Sequence, residues 1–90
     1  MACRDTNKQM RQVLRRAERG DIQAQYRLGL LYAAGGNVPQ DLVSAHKWFN
    51  LAAVAGSGPA RRERQELAAI MSAAEVAEAQ RQAREWKAPA

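Results

Sequence analysis

An all-α chain of about five short antiparallel helices is the fold class this sequence predicts, and three observations lead to it. Of 90 residues 19 are alanine, against two isoleucines and five valines, a balance that favours helix and starves a sheet. Apolar residues recur at helical spacing in successive short stretches. Between the stretches lie glycines that stop helices and Asp or Ser residues that start them, with no long linker. A β-sandwich or a doubly wound α/β domain is excluded on the same grounds. Ninety residues suffice for one domain with a thin core.

The first helix is expected over residues 6–19. Thr6-x-x-Gln9 has the form of a capping box, Met10, Val13, Leu14 and Ala17 fall on one face, and Gly20 ends the run. Asp21 then caps a second helix over 22–34, where Ala24, Leu28, Leu31 and Tyr32 form one apolar stripe. Tyr26, Leu30 and Ala33 form another. A helix with two apolar faces is either sandwiched or presents one face to something else. Gly35-Gly36-Asn37 and Pro39 end it.

The third helix begins near Gln40 or Asp41 and reaches Ala55, with Leu42, Ala45, Phe49, Ala52 and Ala53 as its stripe and Trp48 and Leu51 beside it. Gly56 closes it. A fourth helix over 59–71 starts on Pro59 at the first helical position and ends apolar, on Leu67, Ile70 and Met71. Ser72-x-x-Glu75 is a second capping box, opening a fifth helix over 73–87 with Val76, Ala79, Ala83 and Trp86 on one face. The tail from Pro89 is expected to fray. None of these helices could bury its stripe alone.

Charge is unevenly placed. The net charge is +5, and residues 1–20 carry six basic and two acidic side chains. That basic face, on Lys8, Arg11, Arg15, Arg16 and Arg19, reads as a patch for nucleic acid or an acidic partner, or as the solvated side of an amphipathic helix. No stacking aromatics accompany it, which disfavours single-strand binding. The lone cysteine, Cys3, cannot close an intramolecular disulfide and has no neighbouring base to activate it.

Chemistry is conspicuously sparse. His46 is the only histidine, and positions 42 and 50, one turn away, are Leu and Asn, so a metal site is not expected and a surface or half-buried structural histidine is. The Gly35-Gly36 turn lacks the Lys-Ser/Thr of a phosphate loop. Glu75, Glu78 and Glu85 are spaced as partners for Arg81 and Arg84 rather than as a converging acid–base pair. No catalytic site, cofactor or metal is expected, and no stretch is apolar enough for a membrane span or a signal peptide.

A repeat underlies the pattern. Ala17-x-x-Gly20 recurs 36 residues later as Ala53-x-x-Gly56, and Ala24 recurs as Ala60. Between them run Leu28-Gly29, Tyr32, Gly35-Gly36, Asp41, Ala45, Trp48-Phe49 and Ala52-Ala53. In order and spacing this unit resembles the Sel-one-like repeat, a longer-turned relative of the tetratricopeptide repeat. Read physically, small Gly29 and Ala45 on successive helices would let the pair approach closely, while the aromatics fill the core. At the same offset Leu28 becomes Arg64, Gly29 becomes Gln65 and Tyr32 becomes Ala68, so the second copy departs from the pattern. The chain therefore divides into an N-terminal helix (6–19), a complete repeat (20–56) and a degenerate C-terminal capping pair (57–88). Helix one is either a cap or the second helix of a preceding repeat in a longer array.

The resemblance implies a short α-solenoid, a right-handed helix-turn-helix superhelix whose first helices line a concave groove. It implies a non-catalytic adaptor that binds a peptide or partner protein. The groove positions carried over are Gln23, Tyr26, Leu30 and Ala33 on the second helix, with Arg62, Glu66 and Ala69 on the fourth. Tyr26 and Leu30 either face that groove or pack against helix one or four. The alternative function is nucleic-acid or acidic-partner binding through the basic faces of helices one and four. It gains weight if Arg11, Arg15, Arg61 and Arg62 converge. A bacterial source, a monomer or weakly self-associating state, and a cytoplasmic location are expected. An exported or periplasmic location follows if a leader has been removed.

Overall fold

The computed structural model describes residues 2–36 and 38–86, with side chains from Lys8 onward, and these form five helices and no strand. They are α1 (Ala2–Glu18), α2 (Ile22–Ala34), α3 (Leu42–Val54), α4 (Gly58–Ile70) and α5 (Ala73–Glu85). The expectations on Asn37, on the tail from Pro89 and on the side chain of Cys3 lie outside the described residues. Helix α1 starts at Ala2 rather than residue 6, because residues 2–5 hold no glycine or proline to break it. Thr6 is thus inside the helix and is not its cap. Ser57 caps α4, so Pro59 falls one position later than expected, still within the first turn where its missing N–H costs nothing.

The 36-residue repeat is written in backbone hydrogen bonds. At the α1–α2 turn the Gly20 N–H donates to the Ala17 carbonyl and the Asp21 N–H to that of Arg16, both at 3.0 Å. At the α3–α4 turn the Gly56 N–H donates to Ala53 (3.0 Å) and the Ser57 N–H to Ala52 (2.9 Å). Gly20 and Gly56 take φ of +97° and +115°, a region that L side chains rarely adopt, which is why both turns carry glycine. The caps repeat as well: the Asp21 carboxylate accepts from the Ala24 N–H at 3.1 Å, and the Ser57 hydroxyl from the Ala60 N–H at 3.2 Å. The Ser72–Glu75 capping box is complete, each side chain accepting from the other residue's backbone N–H.

Helix α3 is the hub. It packs against α2, α4 and α5, while α1 packs on α2. Its apolar residues divide between two cores. Phe49, Ala45, Ala52 and Ala53 join Leu67 and Met71 on one side. Trp48 joins Ala17, Ala24 and Leu28 on the other, with Trp86 from the end of α5 packed beside it. The molecule's shortest dimension is 22 Å, two helix diameters, so the stack is two layers deep. None of the helices in the described residues is long and apolar enough to cross a membrane.

The central position of α3 decides one close contact and corrects one expectation. Gly29 admits Phe49 of α3: a Cβ built there would stand 2.5 Å from both Cδ1 and Cε1 of Phe49, so the phenyl ring occupies the missing side chain's space. His46 is neither on the surface nor half-buried. It is 2% exposed, because a helix covered on three sides buries positions beyond its apolar stripe. Ile70, expected to end the apolar side of α4, is instead 73% exposed.

Buried His46 carries a pH prediction. Its Nδ1 has no hydrogen-bond partner, and burial first, then the Arg64 charge, lower its pKa below the ordinary histidine value. Below about pH 6.5 the unfolded chain takes up a proton that the folded chain resists. Stability is therefore full above that pH and declines as pH falls, until His46 titrates in the folded protein too. Urea denaturation at pH 7.5 and at pH 5 should show this decline, and His46→Gln should flatten it; an unchanged slope in the variant would place its origin elsewhere.

Candidate functional site

Helix α2 is pinned at both ends, and that pinning shapes the surface beside it. At its start Gln25, 3% exposed, donates its side-chain N–H to the Ala17 carbonyl at 3.2 Å, tying the end of α1 to α2. At its end the Asp41 N–H donates to the Tyr32 carbonyl (3.0 Å) and the Gln40 side-chain amide to Ala33 (2.9 Å). Held this way, α2 carries open surface on the side it shares with α1 and the turn before α4.

Two adjoining cavities result, of about 770 and 710 Å³. The first lies between α2 and the turn from Ala55 to Pro59, and Gln23, Tyr26 and Leu30 line it. The second lies between α1 and α2, walled by Met10, Leu31 and Ala34, with Val38 of the following loop. Val13, Arg16, Arg27 and Leu30 border both, so the two make one groove along α2.

Of the seven sequence-derived groove positions, the structure brings together Gln23, Tyr26 and Leu30. Leu30 is 37% exposed and turns its side chain to the groove. Tyr26 is half-buried, its ring centroid 5.9 Å from that of Phe49, so it is shared between groove and core. The second apolar stripe of α2 therefore has a partial intramolecular partner, which sequence spacing did not reveal. Ala33 packs on the Phe49 core and lines neither cavity. Arg62, Glu66 and Ala69 are exposed on α4 and line neither cavity. The α4 side of the groove is supplied by the turn before it instead.

The groove's cations, Arg16 and Arg27, were not among the expected positions. A signal existed: Arg27 stands four residues after Gln23 and three before Leu30, on the same helix face. Counting only apolar residues passed over it. Arg11, Arg15, Arg61 and Arg62, whose convergence would have favoured nucleic acid, line neither cavity.

Electrostatically the groove is positive. Among the described residues the ion pairs are those of Arg81 with Glu78 and Glu85, on the outer face of α5. There the hydrogen bond from Arg81, with a further one from Gln82, holds the Glu78 carboxyl down to about 2. Arg16 and Arg27 are exposed and have no such partner among those residues. Among the described residues Asp21 is the one acidic residue lining the first cavity, and its carboxylate caps α2; none of them lines the second. Asn50 accepts from the Arg64 guanidinium at 2.6 Å and locks α4 to α3 away from the groove. Among the described residues no cluster of His, Cys, Asp and Glu could hold a metal ion.

Comparison with known proteins places a family match over this region. Residues 22–57, covering α2, α3 and the Gly56 turn, match the model of the Sel1 repeat. No curated protein matches the chain. Sel1 repeats generally mediate protein–protein interaction and are non-catalytic modules.

Proposed function

We propose, from the premise that this chain is a Sel1-like repeat protein, that it is an adaptor whose groove along α2 holds a segment of a partner protein. The observation that carries this reading is the uncovered groove itself. Val13 and Leu30 border both of its cavities, between the basic side chains of Arg16 and Arg27 and the turn from Ala55 to Pro59, and no element of the described chain fills it. Apolar surface of this kind is stabilised when a partner removes it from water. We place the adaptor in the cytoplasm by default, with an exported or periplasmic location following if a leader has been removed; a fold with one cysteine needs no disulfide in either place.

The test compares two apolar-to-acidic changes. Leu30→Glu alters the groove, and Val54→Glu alters a residue that is 78% exposed and lines neither cavity. With the immobilised protein, Leu30→Glu should reduce capture of specific partners by at least about tenfold. Val54→Glu should leave it intact, and both should keep thermal midpoints within about 5 °C of the parent. Equal capture by all three proteins would move the binding surface off α2.

A further inference from the structure

We propose that the groove's occupant is an acidic amphipathic helix, with apolar side chains seated between Met10, Val13 and Leu30 and carboxylates on Arg16 and Arg27. This deepens the adaptor reading and rests on it. Three observations converge on that chemistry.

The first is charge. Arg16 and Arg27 border both cavities, and among the described residues neither is ion-paired and no acidic one lines the second cavity. An incoming carboxylate therefore meets two guanidinium groups, with Asp21 of the first cavity engaged in capping α2 and no described acidic side chain in the second, and Arg is well suited to bind it in a two-pronged hydrogen bond. The second is the apolar floor. Met10, Val13 and Leu30 supply side chains without charge, and Met10 adapts to the shape it receives. A purely electrostatic ligand would leave this floor wet.

The third is the form of the walls. Along most of the groove they are the flanks of α1 and α2, whose backbone groups are bonded within their own helices, with the turn from Ala55 to Pro59 and the loop at Val38 closing its ends. A strand laid here would bury backbone N–H and C=O groups with no ladder to join, whereas a helix brings its own hydrogen bonds. Helix α2 has 13 residues, so the groove spans about 20 Å, enough for about three turns of a docked helix.

The test is a fluorescence anisotropy titration with fluorescein-labelled peptides of about twelve residues. One carries Leu at helical spacing on a Glu background, a second has Lys for every Glu, and a third has Ser for every Leu. The Glu/Leu peptide should bind at least about tenfold more tightly than either of the others, and less tightly in high salt. Arg16→Glu with Arg27→Glu should reverse the preference toward the Lys/Leu peptide, an outcome that loss of folding could not produce. Arg11→Glu with Arg15→Glu, outside the groove, should leave the preference unchanged.

Equal weakening by both pairs of changes would reduce the effect to net charge and overturn the proposal. So would equal binding of the Glu and Lys peptides, or tighter binding of a labelled oligothymidylate of the same length. If the Glu/Leu peptide fails while Leu30→Glu still abolishes partner capture, the occupant is wrong and the groove stands. If both fail, the groove reading falls with it.

Discussion

Trp48→Ala should destabilise the protein by about 3–5 kcal/mol, the range for removing a large buried aromatic. The indole is 4% exposed and stands where α1, α2, α3 and the end of α5 meet, with Ala17, Ala24 and Leu28 in its cluster. Trp86 meets it edge-on, centroids 6.0 Å apart, and the Lys47 ammonium lies 4.8 Å from its ring centroid. Two of its cluster partners are alanines, whose methyl groups are fixed to the helix backbone and cannot swing in to fill the void. Against a total stability of about 5–15 kcal/mol, such a loss is a large share of the whole. Urea denaturation measures it. A loss under about 1 kcal/mol would mean that the indole does not join the two ends of the chain.

Gly29→Ala should also destabilise, by about 1–3 kcal/mol, although alanine in a helix is favoured over glycine by about 1 kcal/mol. Sterics decide the sign. The added methyl would meet two carbons of the Phe49 ring at 2.5 Å and a third at 3.0 Å. Phe49 is 1% exposed, with Tyr26 packed against it, so the ring has little room to retreat. In a Phe49→Leu background the same change should cost less, with a coupling of at least about 0.5 kcal/mol in the double-mutant cycle. Additive losses, or a stabilised Gly29→Ala, would show that ring and glycine are not in contact.

Much of this fold was legible because its signals are local. Gly20 and Gly56 mark positive-φ turns, Asp21, Asp41 and Ser72 mark helix starts, and the 36-residue offset is visible in the spacing of small residues. Each depends on a few neighbouring residues whose backbone chemistry acts alone. The candidate site was only half legible. Gln23, Tyr26 and Leu30 share a helix face, and helical periodicity finds them. Arg16, from α1, and the turn from Ala55 to Pro59 reach the groove only because α1 crosses α2 and α3 returns beside it.

By itself the sequence determined that the chain is helical, where α2 and α5 begin and, within a residue or two, where α3 and α4 do, and that its middle is a repeat. Hydrogen-bonding and steric preferences within a few residues suffice for that. Tertiary structure alone decided that Phe49 fills the space at Gly29, that His46 is sealed inside, and that Trp86 returns to Trp48 across 38 positions of chain. It also decided that Arg62, Glu66 and Ala69 stand apart from the groove while Arg16 and Arg27 border it. These depend on the angles at which helices cross, and those angles follow from how side chains on separate elements interdigitate. Periodicity along one helix carries no record of that.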